Sequence, residues 1–118
     1  MYIAGLVVPV PEENMEAYRE WAEKGAKIFK KYGCVEIIES WHDFVPKGKQ
    51  TDFYRAVDAK PGEKIVFSIQ IWPDKKSFFA AEKKMHTDEA LEVSGEVPFD
   101  GTRLVFGCFQ PIYTMGRE

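Results

Sequence analysis

Residues able to do chemistry are few in this sequence and widely spaced. His42 and Asp43 put an imidazole beside an acid, just after Trp41. Neighbours on a strand point to opposite faces, so Asp43 would not orient His42, and the pair reads as a polar strand end. His86 falls late in a helical stretch, where a cation complements the helix dipole. Cys34 and Cys108 lack a second ligand three or four residues away, and neither has a histidine nearby in sequence. The isolated turn glycines form no phosphate cradle. Neither a metal nor a cofactor is expected.

Two segments carry more promise. Thr51-Asp52-Phe53-Tyr54-Arg55-Ala56-Val57 places an acid and a base around aromatics, and Pro98-Phe99-Asp100-Gly101-Thr102-Arg103 does so again. Arg55 and Arg103 have the planar fork that grips a carboxylate, or they pair with Asp52 and Asp100. Asp100-Gly101 also suits a tight turn. Ser40, His42, Ser68 and Gln70 occupy alternate positions of two strands. On a common face they would give an apolar cavity the few polar groups of a small-molecule pocket, or else line a wet interface between subunits.

The elements that must position these groups follow from periodicity. Residues 2–9 form an apolar strand ending at Pro9 and Pro11. Asn14 is a suitable helix N-cap, and Met15, Tyr18, Ala22, Gly25/Ala26 and Phe29 recur at helical steps. Lys27, Lys30 and Lys31 complement the end of that helix, and Gly33 can stop it in the left-handed conformation. Residues 34–44 read as a strand with Val35, Ile37, Glu39 and Trp41 on one face, and residues 45–51 as a polar loop. Residues 53–57 suggest a short strand and 60–63 a turn. Residues 64–72 alternate Ile65, Phe67, Ile69 and Ile71 against Val66, Ser68, Gln70 and Trp72. Pro73-Asp74 caps a second helix running to about Thr87. A helical piece is expected over 90–93, a loop over 94–101, a last strand over 103–110 and a loosely held tail.

The order β, α, β, β, α, β predicts an α+β domain of the ferredoxin-like type, an antiparallel sheet with both helices on one face. The other face is too apolar to stay bare, and two sheets packed face to face in a homodimer solve that problem. The 118 residues suit one domain, 1–118, with 45% hydrophobic and 30% charged residues marking a globular chain. A net charge of −3 without a basic face argues against nucleic acid as the partner. No apolar run approaches the length of a membrane span, and the N-terminal stretch lacks a signal peptide's basic start. Two separated thiols make no disulfide framework, so a cytoplasmic location is expected.

Val8-Pro9-Val10-Pro11, Thr51-Asp52-Phe53-x-Arg55-Ala56-Val57, Trp72-Pro73 and Pro98-Phe99-Asp100-Gly101-x-Arg103 together make the chain, from Tyr2 to about Ile112, similar to the YbaA-like bacterial proteins, a family of unknown function. The resemblance implies a dimeric α+β barrel built on a ferredoxin-like monomer, and no particular reaction. It departs at Gly107-Cys108-Phe109, where the family often has Gly-Gly-Phe, and at His42, where it often has Gly. The resemblance makes Trp41, Asp43, Asp52, Phe53, Arg55, Asp100 and Arg103 the candidate ligand-binding residues. The expected function is a homodimeric small-molecule-binding domain. The alternative is a dimeric-barrel enzyme, such as a cofactor-independent monooxygenase or isomerase, with Arg55 or Arg103 holding an oxyanion or carboxylate and Asp52 as base. A third reading is a purely structural interaction domain.

Overall fold

A computed structural model of the chain describes residues 1–87 and 97–117. It contains β1 (Tyr2–Pro11), a single 3₁₀ turn (Glu12–Asn14), α1 (Met15–Lys31), β2 (Glu36–Trp41), α2 (Phe53–Ala56), β3 (Glu63–Trp72), α3 (Lys75–Met85) and β4 (Val105–Phe109). The four strands form one antiparallel sheet in the order β2-β3-β1-β4. This is the α+β, ferredoxin-like arrangement expected from the element order. The helical piece expected over 90–93 and the first three residues of the loop expected over 94–101 lie outside the described residues.

Strand register decides which side chains share a face. Tyr2, Ala4, Leu6 and Val8 of β1 pair with Trp72, Gln70, Ser68 and Val66 of β3. Ile37, Glu39 and Trp41 of β2 pair in turn with Gln70, Ser68 and Val66. Alternation puts all of these on the face covered by α1 and α3. There Phe78, Ala81 and Met85 of α3 pack with Tyr2, Ala4 and Trp72, joined by Ile28 and Phe29 of α1. Trp72 is fully buried, its ring edge-on to Phe29 and Phe78, and its indole N–H bonds Gln70 Oε1 at 3.1 Å. A second cluster gathers Val8, Val10, Tyr18 and Val66, with Trp21 and Phe99 against it.

The opposite face carries Ile3, Gly5 and Val7 of β1, Phe67, Ile69 and Ile71 of β3, Ile38 and Ser40 of β2, and Val105 and Phe109 of β4. Phe67, Ile38, Val105 and Phe109 are exposed there. Pro9 lies beyond the last β1–β4 pair, Val7 with Val105, where β1 has a neighbour on one side only and a strand tolerates proline.

Three local outcomes differ from the sequence reading. Residues 53–56 are a helical turn, not a strand. The Asp52 carboxylate accepts from Arg55 N–H at 2.8 Å, and this capping outweighs the strand preference of Phe53 and Tyr54. Asn14 does not cap α1 with its side chain, because the 3₁₀ turn leads straight into the helix; its amide instead donates to Pro98 O at 2.9 Å. Ser40 and Ser68 sit on opposite faces, because Ser40 pairs with Phe67 while Ser68 pairs with Glu39. Gly33, in contrast, takes φ +106 at the end of α1 as expected.

The second helix start behaves as read. Asp74 accepts from Ser77 N–H at 2.7 Å, and this bond holds its carboxyl below the ordinary aspartate range. Asp74→Ala should lower Tm by about 4 °C. A carboxyl depressed in the folded state contributes stability above its unfolded pKa and loses it as pH falls. The difference in Tm between the two proteins should therefore shrink below pH 3.8, the ordinary aspartate value; thermal melts across pH check both points.

Candidate functional site

A carboxylate among apolar neighbours needs a partner or a purpose. On β2 the helix-covered row reads Ile37, Glu39, Trp41, so Glu39 is the odd member. Being on an edge strand, the residue is exposed overall, but its carboxylate turns inward under α1. Tyr18, the one buried residue of that helix, donates its hydroxyl to Glu39 Oε1 at 2.8 Å. Ser68, directly opposite on β3, donates to Oε2 at 3.0 Å. Burial pushes the Glu39 carboxyl above its usual range, against the pull of these two hydroxyl bonds. Burial and then the neighbouring carboxylate push the Tyr18 phenol upward in turn.

This cluster borders a cavity of about 110 Å³ between α1 and the sheet. Tyr18, Trp21, Ala22 and Phe29 of α1 form its roof, Leu6, Val8, Ile37 and Gln70 its floor, and Phe99 closes one end. Trp21 and Phe99 meet edge to face at 5.0 Å, and Tyr18 lies 5.7 Å from each. On the far side of the Tyr18–Glu39 bond an outer pocket of about 130 Å³ is lined by Met15, Arg19, Ser40, Trp41 and Val66. The Tyr18–Glu39 pair lines both spaces.

The candidates named from sequence fall in three places. Trp41 borders the outer pocket. Trp41, Asp43 and Phe53 also line a wide hollow of about 310 Å³ on the open sheet face, with His42, Ile65 and Phe67. Phe53 meets Phe67 edge-on at 6.2 Å. His42 Nδ1 accepts the Ile65 N–H at 3.0 Å, continuing the β2–β3 ladder with a side chain. Asp52 caps α2 and accepts the Gly48 N–H at 3.1 Å; these backbone bonds, that from Arg55 first, hold its carboxyl low. Arg55 is half exposed, 3.8 Å from Asp52.

Asp100 and Arg103 form a third group. Asp100 accepts from Thr102 and from Arg103 Nε at 2.9 Å, and its carboxyl is held well below the carboxylate range, by Thr102 first. The Arg103 guanidinium forks onto Glu63, with Nη1 at 2.8 Å, and bonds Asp58 O at 2.8 Å. Asp58 is the one non-glycine with positive φ, at 48°, among the described residues, and Arg103 fixes its carbonyl. These bonds all run to the chain's own groups. They fix the segment that delivers Phe99 to the cavity. Among the described residues, no group of three or more His, Cys, Asp and Glu could hold a metal ion, and no helix is long and apolar enough to cross a membrane.

Sequence reasoning named neither Glu39 nor Tyr18 as a site residue. Their contact joins two elements 21 residues apart. The signal available was the single acid in an otherwise apolar strand row.

A family model described as a protein of unknown function (DUF1428) matches residues 1–101. The uncharacterised protein YbaA of Escherichia coli K12 is 45% identical over 112 residues, covering 94% of this chain and 96% of that protein. YbaA of Shigella flexneri matches to the same extent. Among solved structures, a variant of SnoaB, a cofactor-independent oxygenase from Streptomyces nogalater, superimposes with a TM-score of 0.56 over 98% of both chains at 11% identity. That likeness is one of fold.

Proposed function

The chain belongs to the DUF1428 family of YbaA-like proteins, and we propose that it is a homodimeric small-molecule-binding protein whose ligand enters the cavity between α1 and the sheet. The observation that carries this reading is the make-up of the cavity: apolar and aromatic walls with one convergent polar cluster, Tyr18, Glu39 and Ser68. The size supports a ligand of about one ring, since an apolar cavity of roughly 150 Å³ takes up benzene. The open sheet face supports the homodimer. Ile38, Phe67, Val105 and Phe109 are exposed and apolar there, and β1 from Ile3 to Pro9 with β3 from Ile65 to Ile71 present no charge on it, so a second copy of the same face is the fitting cover. Unbridged Cys34 and Cys108 suit a reducing, cytoplasmic setting.

The test is ligand-observed NMR with a panel of one-ring compounds, repeated on Ala22→Leu. Ala22 lines the cavity, and leucine there would fill it. Binding to the natural protein, lost in a variant with an unchanged or higher Tm, is the expected result. Binding that survives the filling would move the site elsewhere, to the hollow bordered by Trp41, Asp43 and Phe53.

One observation favours a second, enzymatic reading. A carboxyl raised by burial beside a cavity is suited to exchange a proton with a bound molecule, and a cofactor-independent oxygenase shares the fold. Turnover abolished by Glu39→Gln, with ligand binding retained, would establish it.

A further inference from the structure

Taking the cavity as the ligand site, we infer that its ligand is a small organic cation, an amine on a one-ring or short branched apolar body. The polar partners of Glu39 carry the argument. Both carboxylate oxygens accept from neutral hydroxyls, Tyr18 and Ser68. No Lys or Arg pairs with this carboxylate among the described residues. Arg19, the one cationic side chain bordering either space, is turned to Glu16 at 3.3 Å and Glu23 at 3.6 Å, and is 64% exposed. The ionised form of Glu39 therefore has hydrogen bonds and no counter-charge. A partly buried carboxylate in that position gains from a cation more than from any neutral group.

The walls select in the same direction. Tyr18, Trp21, Phe29 and Phe99 surround the space with ring systems, whose negative faces attract an ammonium group and repel an anion. An anionic ligand would meet both the carboxylate and these faces. A neutral ligand would leave the carboxylate as it stands. The cavity volume of about 110 Å³ limits the body to one ring or its equivalent. Glu39 also lines the outer pocket, so an ammonium head lodged there would meet the same carboxylate.

Three size-matched probes test this: benzylamine, benzyl alcohol and benzoate, titrated by calorimetry into the natural protein and Glu39→Gln at neutral pH. Benzylamine should bind at least about ten-fold more tightly than benzyl alcohol, and benzoate not at all. Glu39→Gln should weaken benzylamine about ten-fold or more and leave benzyl alcohol unchanged. Equal affinity for amine and alcohol, or preference for benzoate, overturns the inference and leaves the cavity reading standing. No binding of any of the three overturns both. If Glu39→Gln does not fold, the natural protein decides through pH. Amine affinity should fall on acidification, as a proton competes for Glu39, while alcohol affinity stays level; an amine affinity independent of pH overturns the inference.

Discussion

Arg103→Ala should cost about 3 kcal/mol of folding stability, because it breaks a largely buried ion pair and leaves Glu63 without its counter-charge. The two side chains are 13% and 9% exposed, so solvent does little to screen them. The guanidinium also carries the Asp58 carbonyl and the Asp100 carboxylate, which lysine could not reproduce with one point charge. Arg103→Lys should accordingly recover only part of the loss. In thermal melts the alanine variant should unfold about 10 °C below the natural protein. A loss under about 1 kcal/mol would place the pair among screened surface contacts.

The pH dependence has a definite sign. The Arg103 bond holds the Glu63 carboxyl below its usual range, and Thr102 with Arg103 does the same for Asp100. Stability from depressed carboxyls is complete above their unfolded pKa values and disappears as pH falls through the folded ones. The Arg103→Ala deficit should therefore be largest near neutrality and shrink below pH 4.5, the ordinary glutamate value. Because this network fixes the segment bearing Phe99, the variant should also lose affinity for cavity ligands in proportion to that wall's disorder.

The second large effect concerns assembly. Phe67 stands on the open face of β3, 44% exposed, and meets Phe53 edge-on. In a face-to-face dimer a carboxylate there would be buried opposite its symmetry mate, with no cation on the central strands to receive it. Phe67→Glu should convert the proposed dimer to monomer, weakening self-association by a factor of about 100 or more. In the monomer the substituted side chain points to water, so Tm should change little. Sedimentation velocity reads the outcome. A natural protein that sediments as a monomer, or a variant that stays dimeric, removes the homodimer from the proposal.

The sequence made the scaffold legible where pattern and burial agree. Residues 64–72 alternate without interruption, and their two rows are the two faces of β3. Asp74 and Gly33 mark helix boundaries through bonds and backbone angles that few other residues satisfy. Residues 53–56 misled because aromatics favour strands, while the deciding term was one carboxylate capping one turn. The pocket was harder to read for a different reason. Whether Ser40 shares a face with Ser68 depends on the pairing of β2 with β3, and a shift of one residue reverses the answer. Tyr18 and Glu39 each look ordinary alone, a helix-face aromatic and a strand-edge acid, and acquire meaning only when α1 lies across the sheet. Arg103 and Asp100 were visible as a charged pair, but Glu63, the other partner of Arg103, lies 40 residues away.

Strand alternation has a consequence for how such a protein could diversify. Along β2, Ile37, Glu39 and Trp41 line the spaces beneath α1, while Glu36 and Ile38 look out from the opposite face. Along β3, Ser68 and Gln70 border the cavity, and Phe67 and Ile69 belong to the uncovered side. Residue parity thus divides one stretch of chain between two selective pressures. Lineages can change what the interior accepts without rewriting the outer surface, and the reverse. Among related sequences, odd and even positions of β2 should then drift at different rates and covary mainly within their own set.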